Sequence, residues 1–571
     1  MSQQLDPDLT LQKILENSCR NYADCRAMGF VDEEDISYAE LKKRVAVLQD
    51  FLHDRGVAHG DRVAVLGENS PNWSIAYLAV TTMGAVVVPV LPEFHTSEVQ
   101  HILRHSESRG FFVSERYYHK VEELDFSSFA FVALLDNFSL IDTNISKDNL
   151  HRLISDGSRE LRRIGAIALR MVGLKPTEVK PEDTAAIIYT SGTTGHSKGV
   201  MLSHRNIAAN ACAGSIIQPL SPADRTLSIL PLAHVYECTL GLFLPLLEGA
   251  SIHYLRKPPT APVLLPALEK IRPTIILTVP LIIEKIYKTR ILPKLQERWI
   301  LRKLGAVPAF RRSLHRLAGK KLMALFGGSL KFFGIGGAAV QPDVEQFLRD
   351  ASFPYAIGYG LTETSPLIAG CNPAGTRFRS TGPAAPGAEL RIADPLPETG
   401  VGEIQVRGIQ VMKGYFNDLE STENSFTGDG WFKTGDLGVF DRDGYLYIKG
   451  RLKNMILGPS GENIYPEAIE SVINRSPLVL ESLVYEDQGA IVARIHLDYE
   501  KLDQQFTADK LSESQSRSRI QEILNELRAE VNSSLAAFSR IKRMIEQREP
   551  FEKTPTQKIK RYLYTLVDPL D

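Results

Sequence analysis

A short loop rich in glycine, threonine and serine carries one lysine, and these residue types are suited to binding a polyphosphate. The segment from Tyr189 to Gly199 reads YTSGTTGHSKG and follows a strand-like apolar run at 185–189. Glycines let the backbone approach a ligand closely, so that N–H groups, hydroxyls and the lysine surround anionic oxygens. The candidate phosphate-binding residues are Thr190, Ser191, Gly192, Thr193, Thr194, Gly195 and Lys198. The alternative is a solvated turn between that strand and a helix starting within 200–204.

A second segment brings an aromatic ring, a hydroxyl and a carboxylate close together in the sequence. It reads GYGLTETS over 358–365, and the groups belong to Tyr359, Thr362 and Glu363. Such groups stack a base, hydrogen-bond a phosphate and hold a Mg²⁺ ion. The two segments together predict a nucleotide-binding site.

Three further segments complete a pattern that spans the chain. They read KTGD at 433–436, GRLK at 450–453 and KTPTQKIKR at 553–561. In this order and spacing the chain resembles the adenylate-forming superfamily of acyl-CoA synthetases, luciferases and peptide-synthetase adenylation domains. It departs from the commoner pattern at Gln557, where a glycine usually precedes the lysine.

The resemblance implies an ATP-dependent reaction in two steps. A carboxylate attacks the α-phosphorus of ATP to give an acyl-adenylate and pyrophosphate, and a thiol then displaces AMP. Both reactants are anions, so positive charge at the site stabilises the transition state. The implied catalytic residues are Lys558, Lys198, Glu363 and Thr362, with Mg²⁺ bound through Glu363 and Thr190. The other implied ATP-binding residues are Gly337, Ala338, Tyr359, Gly360, Asp436 and Arg451, with Tyr359 on adenine and Asp436 and Arg451 on the ribose.

Alternation of short apolar runs with amphipathic stretches predicts a layered α/β fold. Runs such as 62–66, 85–89 and 274–278 are continuous and apolar, as in strands buried on both faces of a parallel sheet. From about 389 to 449, short alternating strands with Gly and Asp turns predict a small antiparallel barrel or sheet.

The resemblance also implies two domains joined by a hinge. Residues 1–450 would form a large adenylation domain of layered αβ subdomains with a β-barrel-like part. Residues 451–571 would form a small, mobile α+β domain that rotates about Lys453. The rotation would bring in Lys558 for adenylation and afterwards open a channel for the thiol.

A competing motif reads GIGGAA over 334–339 and fits the dinucleotide fingerprint G-x-G-x-x-[GA]. The next strand-like run ends at 357–359 without an acidic residue to hold a ribose, which disfavours NAD(P) binding. The resemblance implies another use, in which Gly336, Gly337 and Ala338 line the adenine edge and the carboxylate pocket.

The segment PLAHVYE at 231–237 resembles its equivalent in long-chain fatty acyl-CoA synthetases, as does the stretch from Pro280 to Gly327. The acyl-pocket candidates are His234, Tyr236, Cys238, Gly336 and Gly337. Each buried methylene is worth roughly 0.8 kcal/mol, so an acyl tunnel could discriminate chain length. The apolar run at 240–247 is equally compatible with ordinary core.

Bulk composition agrees with a large soluble enzyme and disfavours several other classes. The formal net charge of -2 argues against nucleic-acid binding. Five cysteines without C-x-x-C spacing indicate neither a disulfide framework nor a zinc site and fit a reducing cytoplasm. The first residues lack the features of a signal peptide, and no apolar run is suited to spanning a bilayer. We therefore expect a cytoplasmic enzyme.

The expected ligands are ATP, Mg²⁺, a fatty acid and a thiol acceptor, which is either coenzyme A or an acyl carrier protein. An enzyme that stops at the adenylate would share every motif. A non-catalytic nucleotide-binding protein would be expected to lack Glu363 or Lys558, and this chain has both.

A basic, amphipathic segment extends from Lys285 to Lys321. Its twelve lysines and arginines are accompanied by Glu297 alone as an acid, with Trp299 and several leucines interleaved. This pattern is typical of a helix at an anionic membrane surface, where each base contributes about 1 kcal/mol. The alternative is a solvated helical face packed on the large domain.

Overall fold

The computed structural model describes residues 5–141, 178–190, 197–296, 307–458, 462–508, 512–554 and 558–565. Two seven-stranded sheets form the framework of the N-terminal part. In spatial order the first sheet consists of Tyr355–Ile357, Phe332–Ile335, Ile275–Thr278, Arg225–Ser228, Ser251–Tyr254, Arg26–Phe30 and Ile36–Ser37. The second consists of Gly414–Tyr415, Lys198–Ser203, Thr184–Thr190, Val86–Val90, Arg62–Leu66, Gly110–Val113 and Phe131–Leu134.

Most neighbouring strands in these two sheets are parallel. The pairs Arg62–Leu66 with Val86–Val90 and Ile275–Thr278 with Phe332–Ile335 are examples. Nearly every residue of these strands is buried, because both faces of each sheet are covered. The α/β prediction from continuous apolar runs is therefore confirmed.

Helices alternate with these strands along the chain. Those of the N-terminal part are Leu11–Asn21, Tyr38–Asp54, Pro71–Thr82, Thr96–His105, His204–Ile217, Val235–Glu237, Leu244–Glu248, Ala261–Ile271, Pro280–Ile286, Leu292–Gln296, Pro308–Leu325, Pro342–Asp350 and Leu419–Asn424. Two stretches of wider π-helical turn, Cys238–Phe243 and Tyr287–Ile291, continue neighbouring α-helices.

The predicted change of pattern near residue 389 corresponds to a four-stranded antiparallel sheet. Its strands are Ala388–Ala393, Gly402–Gly408, Phe432–Phe440 and Leu446–Arg451, paired in that order. A separate pair, Tyr359–Gly360 with Leu367–Ala369, leads towards it.

A smaller α+β unit follows the strand Leu446–Arg451. Its strands are Ile456–Leu457, Asn463–Ile464, Val479–Asp487, Ala490–Leu497 and Arg543–Glu546, and its helices are Pro466–Ile473, Tyr499–Ala508 and Glu513–Ser534. The largest buried apolar cluster draws its residues from Leu9 to Leu446, and a second cluster draws its residues from Ile456 to Met544. The fold thus has a large N-terminal and a small C-terminal part.

One contact between the two parts lies at the end of a helix. The ammonium of Lys288 donates to the backbone carbonyl of Asn474 at 2.9 Å, and the amide of Gln341 approaches the same oxygen at 3.4 Å. Asn474 caps the C-terminus of Pro466–Ile473. A lysine at this position complements the negative end of the helix dipole.

The glycine loop connects two strands, whereas the sequence suggested a strand followed by a helix. Thr184–Thr190 and Lys198–Ser203 pair antiparallel, with Thr190 opposite Lys198. Val200 and Leu202 are buried in the sheet, so the apolar run after the loop extends as a strand. The helix His204–Ile217 begins after Ser203, whose hydroxyl accepts from the backbone of Asn206.

Within the described ranges, the structure contains no helix whose length and apolar character would let it cross a bilayer.

Candidate active site

Several predicted site residues lie at the carboxyl ends of parallel strands in the first sheet. His234 follows Arg225–Ser228, Gly336 follows Phe332–Ile335, and Tyr359 follows Tyr355–Ile357. Open α/β sheets bind ligands at this edge. The sheet topology therefore brings together residues that the sequence separates widely.

Asp436 is the centre of a polar triad in which Asp436 and Tyr359 are buried and Arg451 is partly exposed. It lies opposite Arg451 in adjacent antiparallel strands, and the two side chains form an ion pair at 2.9 Å. The hydroxyl of Tyr359 donates to the other carboxylate oxygen at 2.8 Å. Burial raises the pKa of Asp436, and the Arg451 charge and the Tyr359 hydrogen bond oppose that rise. All three side chains are thus fixed relative to one another.

Gly360 permits the tight approach of two chain segments beside this triad. It pairs with Leu367, and a Cβ atom at position 360 would lie 1.7 Å from the carbonyl oxygen of Pro366. No side chain fits at that distance. The glycine therefore lets the chain pass from Tyr359 to the short 3₁₀ turn Thr362–Thr364, which carries Thr362 and Glu363.

Glu363 and Lys198 approach the site from different segments and share one neighbour, Tyr415. The Tyr415 hydroxyl donates to Glu363 Oε1 at 3.0 Å, and Lys198 Nζ lies 5.0 Å from the centre of the Tyr415 ring. Lys198 also donates to Ser421 Oγ at 2.6 Å and lies 3.9 Å from an Asp418 carboxylate oxygen. One aromatic residue therefore contacts both a cation and a carboxylate.

The donors near Glu363 fit a Mg²⁺ ion. Glu363 is partly exposed, and the Tyr415 hydroxyl contacts only one of its carboxylate oxygens. Thr190, also partly exposed, lies at the end of its strand directly opposite Lys198. Carboxylate and hydroxyl oxygens are hard ligands of the kind that Mg²⁺ prefers.

Lys558 belongs to a hairpin of the C-terminal part. The backbone of Thr554 donates to the Lys558 carbonyl at 2.8 Å, and the Lys558 backbone donates to the Thr554 hydroxyl at 3.2 Å. The residue is exposed, yet protein atoms surround its ammonium and partly desolvate it. Partial desolvation and the positive charge of Arg451 lower its pKa, while the carboxylates of Asp436 and Glu363 oppose this. Lys558 thus faces the residues predicted to bind ATP.

The predicted hinge residue Lys453 lies in the short 3₁₀ turn Leu452–Asn454, directly after the strand that ends at Arg451. Burial lowers the pKa of Lys453, and the nearby charges of Arg451 and Lys558 lower it further. It therefore lies between the two parts of the chain.

The predicted acyl-pocket residues divide into two groups. Tyr236 packs against Gly336, where a Cβ atom would lie 3.1 Å from the Tyr236 ring. Burial and, to a smaller extent, the positive charge of Lys558 lower the pKa of His234 to about 4, so the imidazole is neutral near pH 7. Cys238 instead points into the core, where burial raises the pKa of its thiol to about 12. Gly337 and Ala338 remain exposed at the rim.

Asn69 fixes the path of the chain that leads to His234. Its amide donates to Ser228 Oγ at 2.9 Å and to the Leu230 carbonyl at 2.6 Å, and its oxygen accepts from the Leu232 backbone at 2.8 Å. Asn69 follows a strand of the second sheet, whereas Ser228 ends a strand of the first sheet and Leu230 and Leu232 follow it. We call these three hydrogen bonds the Asn69 clamp.

Comparisons with known proteins identify the family. The model of the family described as AMP-binding enzyme matches residues 15–416. This chain belongs to the AMP-binding enzyme family.

Several relatives and a solved structure resemble this member of the AMP-binding family over most of its length. The long-chain-fatty-acid–CoA ligase FadD15 of Mycobacterium bovis is 30% identical over 495 residues, which is 82% of this chain and 78% of the relative. The indoleacetate–CoA ligase of Aromatoleum aromaticum is 32% identical over 461 residues, 79% and 80% of the two chains. A long-chain-fatty-acid–[acyl-carrier-protein] ligase of Arabidopsis thaliana is 28% identical over 558 residues, 83% and 74%. ATP-bound MatB from Rhodopseudomonas palustris superposes with a TM-score of 0.74 at 25% identity, covering 97% and 98%.

Part of the predicted AMP-binding site lies outside the described residues. These positions are Ser191, Gly192, Thr193, Thr194 and Gly195. The two strands that flank the loop, and with them Thr190 and Lys198, are described.

The sequence pattern did not point to Tyr415, which contacts Glu363 and Lys198, or to Asn69, which holds the chain before His234. Tyr415 stands in a Gly-Tyr-Phe segment, and Asn69 precedes Ser70, which caps the helix Pro71–Thr82. A glycine before an aromatic residue does not by itself indicate a functional position. An asparagine before a helix usually indicates only capping or a turn. Their contacts become evident only in three dimensions.

Proposed function

We propose that this protein is an AMP-forming acid–CoA ligase whose acid is a long-chain fatty acid. The observation that carries the proposal is the position of Lys558, which the C-terminal part presents to Glu363, Asp436 and Arg451. We place the boundary between the two domains at residues 450 and 451, with Lys453 as the hinge. The separate buried clusters on either side of that point support this division.

In the first half-reaction Lys558 bridges the substrate carboxylate and the α-phosphate. Its positive charge offsets the repulsion between two anions and stabilises the charge that develops on phosphorus. Lys198 binds the β- and γ-phosphates together with backbone amides of the glycine loop. Thr362 contacts the α-phosphate. Glu363 and Thr190 hold Mg²⁺, which supplies further positive charge to the triphosphate when it is bound.

The nucleoside is held by the triad around Asp436. Asp436 and Arg451 bind the ribose hydroxyls, and the Tyr359 ring lies against adenine. Gly360, Gly337 and Ala338 contribute backbone at the edge of the base. Because Asp436 and Arg451 are already paired across two strands, little reorganisation is needed when ATP enters.

The acid enters beside His234, Tyr236 and the glycines at 336–337. A neutral His234 places no second positive charge beside Lys558, so the carboxylate is drawn to the lysine. The fatty-acid assignment is supported by the names of the relatives that act on long-chain acids. Cys238 lies behind this surface, in the buried core.

Coenzyme A is the proposed acceptor, and an acyl carrier protein is the alternative, favoured by the Arabidopsis relative. Purified protein would be incubated with ATP, Mg²⁺ and acids of increasing chain length, with indoleacetate included, and either CoA or holo carrier protein as thiol. Mass spectrometry would identify the thioester, and Glu363→Ala would serve as the inactive control. Preferential formation of long-chain acyl-CoA is expected. Indoleacetyl-CoA or acyl carrier protein as the main product would overturn the assignment of acid or acceptor.

We further propose peripheral contact with an anionic membrane through the helix Pro308–Leu325. This helix contains bases but no acidic residue, and Phe310 and Leu317 are 53% and 60% exposed on it. Arg311 and Arg312 approach the buried carboxylate of Asp350, so their charges are partly offset. Arg316, Lys320 and Lys321 are exposed and remain for lipid headgroups.

Vesicle sedimentation tests this contact. Binding to vesicles of mixed anionic and neutral lipid should fall as salt is raised, and it should fall further in a triple glutamine variant of Arg316, Lys320 and Lys321. A control variant would replace the exposed bases Lys42, Lys43 and Arg55. Equal binding by both variants would show that this helix does not contact lipid.

A further inference from the structure

Tyr415 is positioned by its own local structure. Gly414 and Tyr415 pair antiparallel with Met201 and Val200 of the strand that begins at Lys198. Gly414 has a φ of +144°, and a Cβ atom there would lie 2.7 Å from Thr422. The Thr422 hydroxyl accepts from the Tyr415 backbone at 2.8 Å. The ring is therefore set by backbone pairing and does not depend on a bound ligand.

Two groups of opposite charge, one carboxylate and one ammonium, contact Tyr415. The Tyr415 hydroxyl donates to Glu363 at 3.0 Å, while Lys198 Nζ lies 5.0 Å from the ring centre. The contact with Lys198 is a cation–π interaction, which holds the ammonium over the ring face.

The chain that follows Tyr415 completes the environment of Lys198. Ser421 accepts from Lys198 at 2.6 Å, and Asp418 lies 3.9 Å away while also capping the helix Leu419–Asn424. These contacts hold the extended lysine in one direction before any anion is bound. The segment around Tyr415 thus holds the ammonium of Lys198 in place before a phosphate binds.

We propose that Tyr415 is a positioning residue that sets the separation of Lys198 and Glu363, and thereby couples ATP binding to Mg²⁺. The inference rests on the proposed function, since it assumes that these two groups meet the triphosphate. The hydroxyl holds one oxygen of the Glu363 carboxylate, so that the other oxygen would be available to bind the metal. The ring directs Lys198 towards the terminal phosphates.

Isothermal titration calorimetry tests the proposal without turnover. ATP affinity would be measured in EDTA and in Mg²⁺, with no acid or thiol present. Tyr415→Phe should weaken ATP binding in Mg²⁺ by about tenfold, because a hydrogen bond to a charged group is lost. In EDTA its affinity should stay within about twofold of wild type, because the ring remains under Lys198. Tyr415→Leu should weaken binding in both conditions.

Two further variants separate positioning from general stability. Tyr499→Phe removes a comparable hydroxyl-to-glutamate hydrogen bond in the C-terminal part, at 2.8 Å from Glu546, and should leave ATP binding unchanged. In a double-mutant cycle, Tyr415→Phe should add little to Glu363→Gln, since both act on the same carboxylate.

Three results would overturn the role of Tyr415. They are unchanged affinity of Tyr415→Phe in Mg²⁺, an equal loss with and without the metal, and full additivity with Glu363→Gln. If wild-type protein binds no ATP in either condition, the proposed function fails as well. The two failures are therefore distinguishable.

Discussion

The two lysines of the candidate site are held in different ways. Lys198 belongs to the large N-terminal part, where Tyr415, Ser421 and Asp418 surround its ammonium within the same structural unit. Lys558 belongs to the C-terminal part and meets Glu363 and the Asp436–Arg451 pair only across the junction of the two parts.

Under the proposed function, we expect this difference to place the two lysines at different stages of the reaction. A pre-positioned lysine serves binding, because its geometry is independent of the other domain. A lysine delivered by a second domain serves one step and can be withdrawn for the next. Binding and chemistry should therefore separate when each lysine is changed.

The largest effect is expected from Lys558→Ala. Pyrophosphate release should fall by about 10²–10³-fold, since a charge that stabilises the transition state is removed. Thioester formation from supplied acyl-adenylate and CoA should stay near wild type. Both half-reactions would be followed by rapid quench and mass spectrometry. Equal loss in both would contradict delivery of Lys558 for adenylation alone.

Lys198→Met should weaken ATP binding, which Lys558→Ala should leave nearly unchanged. ATP binding without acid should weaken by about tenfold, because a charged contact to phosphate is lost, whereas Lys558→Ala should bind ATP nearly as well as wild type. Calorimetry measures both affinities. Similar affinities for the two variants would remove the distinction between a binding lysine and a delivered one.

A smaller effect is expected from Lys288→Met, which loosens the contact between the two parts. The loss of one charged contact at a helix C-terminus should slow adenylation by about threefold, with no loss in thioester formation. Lys285→Met, one turn earlier and exposed, is the matched control. A slower second half-reaction would show that the contact does not favour the adenylation arrangement.

The smallest effect is expected in the pH dependence of the adenylation rate. Desolvation and Arg451 lower the pKa of Lys558, so it loses its proton at a lower pH than an ordinary lysine. Adenylation needs the protonated form, and its rate should therefore decline as pH rises through that lowered value. Lys558→Arg stays charged and should move the decline to higher pH. Initial rates of pyrophosphate release between about pH 7 and 10 would show whether the two profiles differ.

The layers of the fold could be predicted because strands buried on both faces of a parallel sheet appear in the sequence as continuous apolar runs. The segment 62–66 is an example, and it forms the strand Arg62–Leu66. The same reasoning did not reveal the strand Lys198–Ser203. Its short apolar stretch suits a strand or a helix equally, and pairing with Thr184–Thr190 decides between them.

Local motifs indicated Glu363 and Lys558, but they could not indicate the residues that support them. Tyr415 is 52 positions from Glu363, and their contact depends on a strand of only two residues, Gly414–Tyr415. Asn69 is 159 positions from Ser228. Such contacts follow from sheet order, which composition and periodicity do not determine.

The Asn69 clamp constrains any attempt to engineer which acid this enzyme accepts. One amide from the neighbouring sheet fixes three points on the chain before it reaches His234. Libraries at His234 and Tyr236 would therefore sample new pocket shapes on a constant frame. Libraries that also vary position 69 would move the backbone that leads to His234. The effects of pocket substitutions could then no longer be compared with one another.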